Sequence, residues 1–217
     1  MALKNNTWKL NQWYDQNVAG NVSYSGQQQL WVWGYNEYGN LGQNQGPGYN
    51  ISSPTQIPGT TWSSNFHSYG FANEKAVILT KTDGTLWAWG KNETGQLAQN
   101  NLVNYSSPVQ IPGTTWSSVI STTNQSASAI KTDGTLWTMG YNAYGGLGQN
   151  EPYSGTTVAR SSPVQVPGTT WSKVSTEQEG ATIAVKTDGT LWAWGNNEYG
   201  ELGQNNKTRY SSPTQIP

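Results

Sequence analysis

The chain predicts an all-β fold made of one structural unit written about four times. Three observations carry this. Thr85-Leu86-Trp87-Ala88-Trp89-Gly90 returns unchanged as Thr190-Leu191-Trp192-Ala193-Trp194-Gly195, with related versions at 30–34 and 135–140. Short strand-like runs flank Asp-Gly pairs at Asp83-Gly84, Asp133-Gly134 and Asp188-Gly189. No stretch sustains a helical hydrophobic period. A β-propeller of about four tandem blades, each with four antiparallel strands, accounts for all three.

Four landmarks follow one another in fixed order. The first is the Leu-Trp strand, at Trp31, Trp87, Trp137 and Trp192. Tryptophan fills the wedge between packed sheets and keeps an N–H for a polar partner. The second is a loop of pattern G-x-N-x-x-G-x-L-G-Q-N at 34–44, 90–100, 140–150 and 195–205, with Ala98 in place of one glycine. The third is Ser-Ser-Pro-x-Gln-(Ile/Val)-Pro, around Pro54, Pro108, Pro163 and Pro213. Proline cannot donate to a ladder, so this segment reads as a short outer strand. The fourth is Gly-Thr-Thr-Trp-Ser, at Trp62, Trp116 and Trp171, which opens another strand. Lys-Thr-Asp-Gly-Thr then supplies a hairpin, and Asp-Gly predicts a type I′ turn with positive φ at both central residues.

Stepping one repeat back from Trp62 reaches Trp8, so the chain opens on the fourth landmark and its last residue, Pro217, precedes the next copy. This phasing predicts one domain. Residues 1–29 are an N-terminal part-blade, 30–85, 86–135 and 136–190 are full repeats, and 191–217 is a C-terminal part-blade. The N-terminal strands are expected to complete the last blade and so remove open sheet edges. The alternatives are a chain cut in mid-repeat, a partial ring, or pairing with another chain.

Composition narrows the chemistry. Charged residues are 11% of the 217, and the net charge is −1. The eleven basic residues are scattered, whereas phosphate binding needs them clustered, so no nucleic-acid partner is expected. There is no cysteine, hence no disulfide or thiolate metal site. The first residues lack the long apolar run of a secretory signal, so none is expected, and no apolar run reaches membrane-spanning length, so no membrane insertion is expected.

Trp-Gly-x-Asn-x-x-Gly-x-Leu-Gly, together with Asp-Gly-x-Leu-Trp, resembles the regulator of chromosome condensation repeat family. The resemblance covers nearly the whole chain and implies a β-propeller of four-stranded blades. Members of that family usually have seven blades, against about four units here. Their Gly-x-x-His-x-x-Ala pattern is also altered: Asn73, Thr123 and Gln178 stand at the glycine position, and Ala76, Ser126 and Ala181 at the histidine position. The founding member acts in guanine-nucleotide exchange on a small GTPase and binds chromatin. No exchange-site residue or basic tail is matched here.

No catalytic, cofactor-binding or metal-binding residue is expected. His67 stands alone, without a nucleophile or carboxylate to form a triad. Asp83, Asp133 and Asp188 each bring one carboxylate to a turn, too few oxygens for calcium. Glu177 and Glu179 lie in a polar run and read as solvated. The Gly-rich loop follows a strand, but no helix follows the loop, so a phosphate cradle is not expected.

Interaction candidates are the residues that vary between loops. Tyr35, Tyr38, Tyr141, Tyr144 and Tyr199 sit in the Gly-rich loops. Tyr49, Tyr153, Arg160 and Tyr210 sit in the inserts before Ser-Ser-Pro, at 45–51, 101–105, 151–160 and 206–210, which differ in length. Variable loops on a fixed scaffold are where recognition concentrates. Tyrosine with Asn and Ser suits protein or glycan contacts.

The leading expectation is a non-enzymatic structural or attachment protein of a bacteriophage particle, as a tail, fibre or capsid-surface component. Low charge, polar composition and near-identical repeats motivate it. Its partners would be other structural proteins, copies of itself, or a cell-surface glycan or protein, and its place the virion or an extracellular surface. The alternatives are a glycan- or cell-surface-binding module and a cytosolic propeller that regulates a GTPase.

Overall fold

The computed structural model describes residues 29–63, 75–151, 159–177 and 180–217. His67, Tyr153, Glu179 and residues 1–28, where the N-terminal part-blade is expected, fall outside them. Thirteen strands fill four antiparallel sheets among the described residues, and no α-helix occurs among them. The one helical element among the described residues is a single 3-10 turn at Ala143–Gly145.

Two blades are described in full. One holds β6 (Trp116–Thr122), β7 (Ser126–Lys131), β8 (Leu136–Gly140) and β9 (Arg160–Gln165), hydrogen-bonded in that order. The other holds β10 (Trp171–Thr176), β11 (Ala181–Lys186), β12 (Leu191–Gly195) and β13 (Tyr210–Gln215). Before them come β3 (Ala76–Thr80), β4 (Leu86–Gly90) and β5 (Tyr105–Ile111), extended by a bridge between Trp62 and Lys81. The first blade is described through β1 (Trp31–Gly34) and β2 (Ile51–Gln56).

This topology corrects the phase. The last sheet draws all four strands from its own stretch of chain, β10 to β13, so it has no vacant place for the N-terminal strands to complete. Blades begin at Gly-Thr-Thr-Trp and end at Ser-Ser-Pro. Divisions at 85, 135 and 190 would cut the Asp-Gly hairpins, which lie inside the sheets.

The outer strands carry the prolines, as a strand edge requires. The hairpins differ from the type I′ expectation. Only Gly84, Gly134 and Gly189 have positive φ there, while the aspartates do not. Gly84 N–H donates to Lys81 O at 3.0 Å, and Lys81 N–H to Thr85 O at 2.9 Å. This is the three-residue hairpin, a type I turn closed by a left-handed glycine. Asp83 drives the choice, because its Oδ1 accepts from both Thr85 N–H (2.9 Å) and Thr85 Oγ1 (2.6 Å). Asp133 and Asp188 repeat the arrangement with Thr135 and Thr190.

The cores lie between blades. Leu86, Ile111 and Leu97 pack with Trp116, Ala127 and Met139 of the following blade. Leu30, Ile57 and Leu41 pack with Trp62 and Trp89. Leu136 and Val166 pack with Trp171 and Trp194. Each blade thus buries the apolar flank of its predecessor, which is the stabilising unit of a repeat architecture.

Candidate functional site

The Gly-rich loop is a clamp between neighbouring blades. Its first asparagine builds it: Leu41, Leu97, Leu147 and Leu202 N–H donate to Oδ1 of Asn36, Asn92, Asn142 and Asn197 at 2.9–3.0 Å. These asparagines are buried, and a buried amide keeps its place only while hydrogen-bonded. The asparagine closing each of the first three loops reaches the next blade. Asn44 N–H donates to Ser106 O (2.7 Å), Asn100 to Ser161 O (2.6 Å) and Asn150 to Ser211 O (2.8 Å).

Close approach explains the glycines. A Cβ on Gly39, Gly95 or Gly145 would lie 2.6, 2.7 or 2.6 Å from the Cα of Ser106, Ser161 or Ser211. Three residues further on, Gly42 faces Trp89 and Gly148 faces Trp194, each within 3.0 Å of the indole nitrogen if given a Cβ. Those indoles donate to carbonyls of the loop they lie beneath, Trp89 to Asn40 and Trp194 to Gly146, both at 2.9 Å. In the one loop with Ala98 at this position, the next blade carries Met139 in place of tryptophan, within the same core. Side-chain size on one blade is matched to glycine or alanine on its neighbour.

A second motif repeats at the hairpin. Lys81 Nζ lies 4.8 Å from the Trp62 ring and 4.0 Å from Trp87. Lys131 sits likewise against Trp116 and Trp137, and Lys186 against Trp171 and Trp192. The ring pairs meet edge to face. The buried indole N–H groups of Trp62, Trp116 and Trp171 have no hydrogen-bond partner. Beside Trp62, Lys81 and Trp87 a groove of about 430 Å³ opens towards Gly42 and Pro108.

The candidate tyrosines divide by their place in this clamp. Tyr38 and Tyr144 are half-buried between blades and are not free loop residues. Tyr38 lies beneath Lys75 and Lys91, at 4.7 and 5.3 Å, and Arg209 stacks on Tyr144 at 4.2 Å. Tyr141 is half-buried. Tyr210 is also half-buried, packs into the last two cores, and accepts from Asn206 Nδ2 at 3.2 Å. Arg160 is half-buried and ion-paired with Glu151. Three remain well exposed: Tyr35 at 63%, Tyr49 at 58% and Tyr199 at 74%. Leu102 and Val103, exposed to a similar degree, belong with them, and the reading of the loops for tyrosine passed over them. All five lie on the connection between the third and fourth strands of a blade, hence at one end of the propeller.

Charge at this end is sparse and locally paired. Glu37 holds Lys75 (3.1 Å), and the hydrogen bond it accepts raises the lysine pKa above its ordinary value. Hydrogen bonds from Glu201's own backbone N–H and from Tyr199 and Gly200 hold its pKa low. No group of three or more metal-ligating side chains occurs among the described residues. Glu177 is exposed, as expected for a solvated carboxylate.

A scaffold of blades clamped by loops, with varied side chains at one end, defines a β-propeller of tandem repeats. The regulator of chromosome condensation (RCC1) repeat matches residues 83–123, 133–176 and 188–217, just over half of the chain. The chain belongs to that repeat family. Its fold is similar to that of human WBSCR16, at 19% identity and a TM-score of 0.66, over 87% of this chain and 48% of the other. It is also similar to Prp20p from Saccharomyces cerevisiae, at 18% identity and 0.68, over 87% and 46%. The same yeast protein bound to Kap60 gives 18% and 0.69, over 87% and 44%. The chain spans just under half the length of these proteins.

Proposed function

We propose that this chain is a non-enzymatic protein-binding propeller whose recognition surface is the loop end of the blades. The observation that carries it is the set of exposed apolar side chains on connections the clamp holds rigid. Tyr35 and Tyr49 lie on the first blade, Leu102 and Val103 on the second. The second insert is pinned from below, since Asn92 N–H donates to Asn104 Oδ1 (2.7 Å) and Asn92 Nδ2 to Asn101 O (2.9 Å). Ordered apolar side chains on a fixed frame lose little entropy on binding.

The finer reading is a cytosolic regulator of a GTPase. Family membership supports it, as do the yeast neighbours, described as binding Gsp1p, histones and Kap60. The bacteriophage-particle reading rests on composition alone, and family and fold favour the partner-binding one. A panel of purified, nucleotide-free small GTPases on a sensor surface tests it. The expected result is saturable binding of at least one member, weakened tenfold or more by Leu102→Asp with Val103→Asp. No binding to any member defeats the GTPase reading. A positive glycan array lost in Tyr49→Ala would transfer the site to sugars.

A further inference from the structure

The hairpin end of the blade junctions holds donors that the fold leaves unused. Among the described tryptophans, Trp87, Trp89, Trp137, Trp192 and Trp194 each donate the indole N–H to an oxygen of the chain. Trp62, Trp116 and Trp171 are at most 3% exposed, yet their N–H groups meet no acceptor. Buried donors are seldom left unpaired, and here the omission recurs at three equivalent places. The lysines beside them are uncommitted too. Lys75, Lys91, Arg160 and Arg209 each hold a carboxylate. The half-buried Lys81, Lys131 and Lys186 form no ion pair among the described residues. The turn aspartates close to them in sequence accept instead from Thr85, Thr135 and Thr190.

The two kinds of donor converge on one point at each junction. A Cβ on Gly59, Gly113 or Gly168 would lie 3.5, 3.6 or 3.7 Å from the lysine Nζ, and 3.9, 3.5 or 3.7 Å from the indole Nε1. Outside the glycine's own stretch of chain, the three atoms nearest that point all belong to this lysine and this tryptophan. An oxygen entering there and settling about 1 Å deeper accepts from both. All three glycines are exposed, and the Gly113 site lies within the described stretch 75–151, far from either end of the chain. At the first junction the point opens into the groove between Gly42 and Pro108. Nine of the ten residues lining that groove recur by type at the next two junctions, the tenth being Gly42, Ala98 or Gly148.

We propose that each of these points receives a side-chain carboxylate of an acidic peptide, glutamate in type. The ammonium and the indole N–H are its two donors, and a charge-assisted pair of this kind is the stronger sort of hydrogen bond. One cation per site matches one negative charge, whereas a phosphate dianion takes a cluster of basic groups. The indole N–H lies at the floor of the groove, where a single absent Cβ makes the room. A carboxylate on a methylene stem reaches that floor, with the stem against Trp87 and the two prolines of the walls. A sugar acid carries its carboxylate directly on a ring, which is too broad to follow. An acidic segment would meet up to three such sites in one chain. The sites lie at the opposite end of the blades from the exposed Tyr49, Leu102 and Val103, so they do not depend on the GTPase reading.

Titration of the full nitrogen-15-labelled chain with hexaglutamate, followed by proton–nitrogen spectra, tests this. Single Trp→Phe variants assign the indole signals. Those of Trp62, Trp116 and Trp171 should move downfield and saturate, while Trp89 and Trp194, already bonded, should stay in place. Hexaglutamine should leave all five unmoved, a comparison that needs no variant. A chain carrying Lys81→Met, Lys131→Met and Lys186→Met should bind hexaglutamate at least tenfold more weakly, and the corresponding Lys→Arg chain should keep the shifts. No movement in the unaltered chain, equal movement with hexaglutamine, or shifts that survive Lys→Met overturns the proposal. Glucuronate acting at lower concentration than hexaglutamate would assign the site to acidic sugars and overturn the peptide reading.

Discussion

At the residue scale, the hairpin aspartates show how one side chain selects a turn. Asp83, Asp133 and Asp188 have pKa values below the ordinary carboxylate value. For Asp83 and Asp133 the largest cause is the hydrogen bond from the threonine hydroxyl two residues on, and for Asp188 it is the threonine backbone N–H. A carboxyl whose pKa falls on folding stabilises the fold above its unfolded pKa. That contribution is lost as pH drops through the folded value. Tm should therefore fall on acidification below the ordinary carboxylate range. A triple Asp→Asn variant at 83, 133 and 188 should show a shallower acid dependence while keeping the acceptor oxygen. Equal slopes would remove the aspartates from the account. Here the Asp-Gly pair made the hairpin legible, but not its type. Asparagine or aspartate before glycine serves two- and three-residue loops alike, and the threonine that follows decides between them.

At the scale of elements, the junction between blades is the unit that needs explaining. Glycine at the ninth position of the loop leaves room for an indole from the next blade, which donates to the carbonyl two positions before that glycine. Gly148→Ala would set a methyl 2.8 Å from Trp194 Nε1. Overpacking of this kind costs about 1–3 kcal/mol. Trp194→Met should recover much of it, because the chain already pairs Ala98 with Met139. Urea unfolding of the two single variants and the double one should give a coupling energy of about 1 kcal/mol or more. Additive effects would deny the matching. Strand identities were legible because each strand carries its own mark, Trp-Ser, Lys-Thr-Asp-Gly, Leu-Trp or Ser-Ser-Pro. The phase was not, since a cyclic repeat reads the same from any starting point. Only the hydrogen bonds show that Ser-Ser-Pro closes a blade and Trp-Ser opens one.

For the whole molecule, the same junction governs what is exposed. Tyr38, Tyr144 and Tyr199 occupy one loop position, and the sequence treats them alike. The structure separates them because a following blade covers the first two and leaves Tyr199 in solvent. Candidate sites of a repeat protein are thus only half legible in one repeat, since burial is decided by the neighbour. Trp33 makes the same point from the other edge, where a core residue by type stands exposed.

Hydrogen exchange of the loop-closing asparagine amides tests the clamp between blades most directly. Asn44, Asn100 and Asn150 each donate across a junction. Their amides should be protected to the same degree as those of the strand cores. Exchange of Asn44, Asn100 and Asn150 at the rate of open loops would contradict the account.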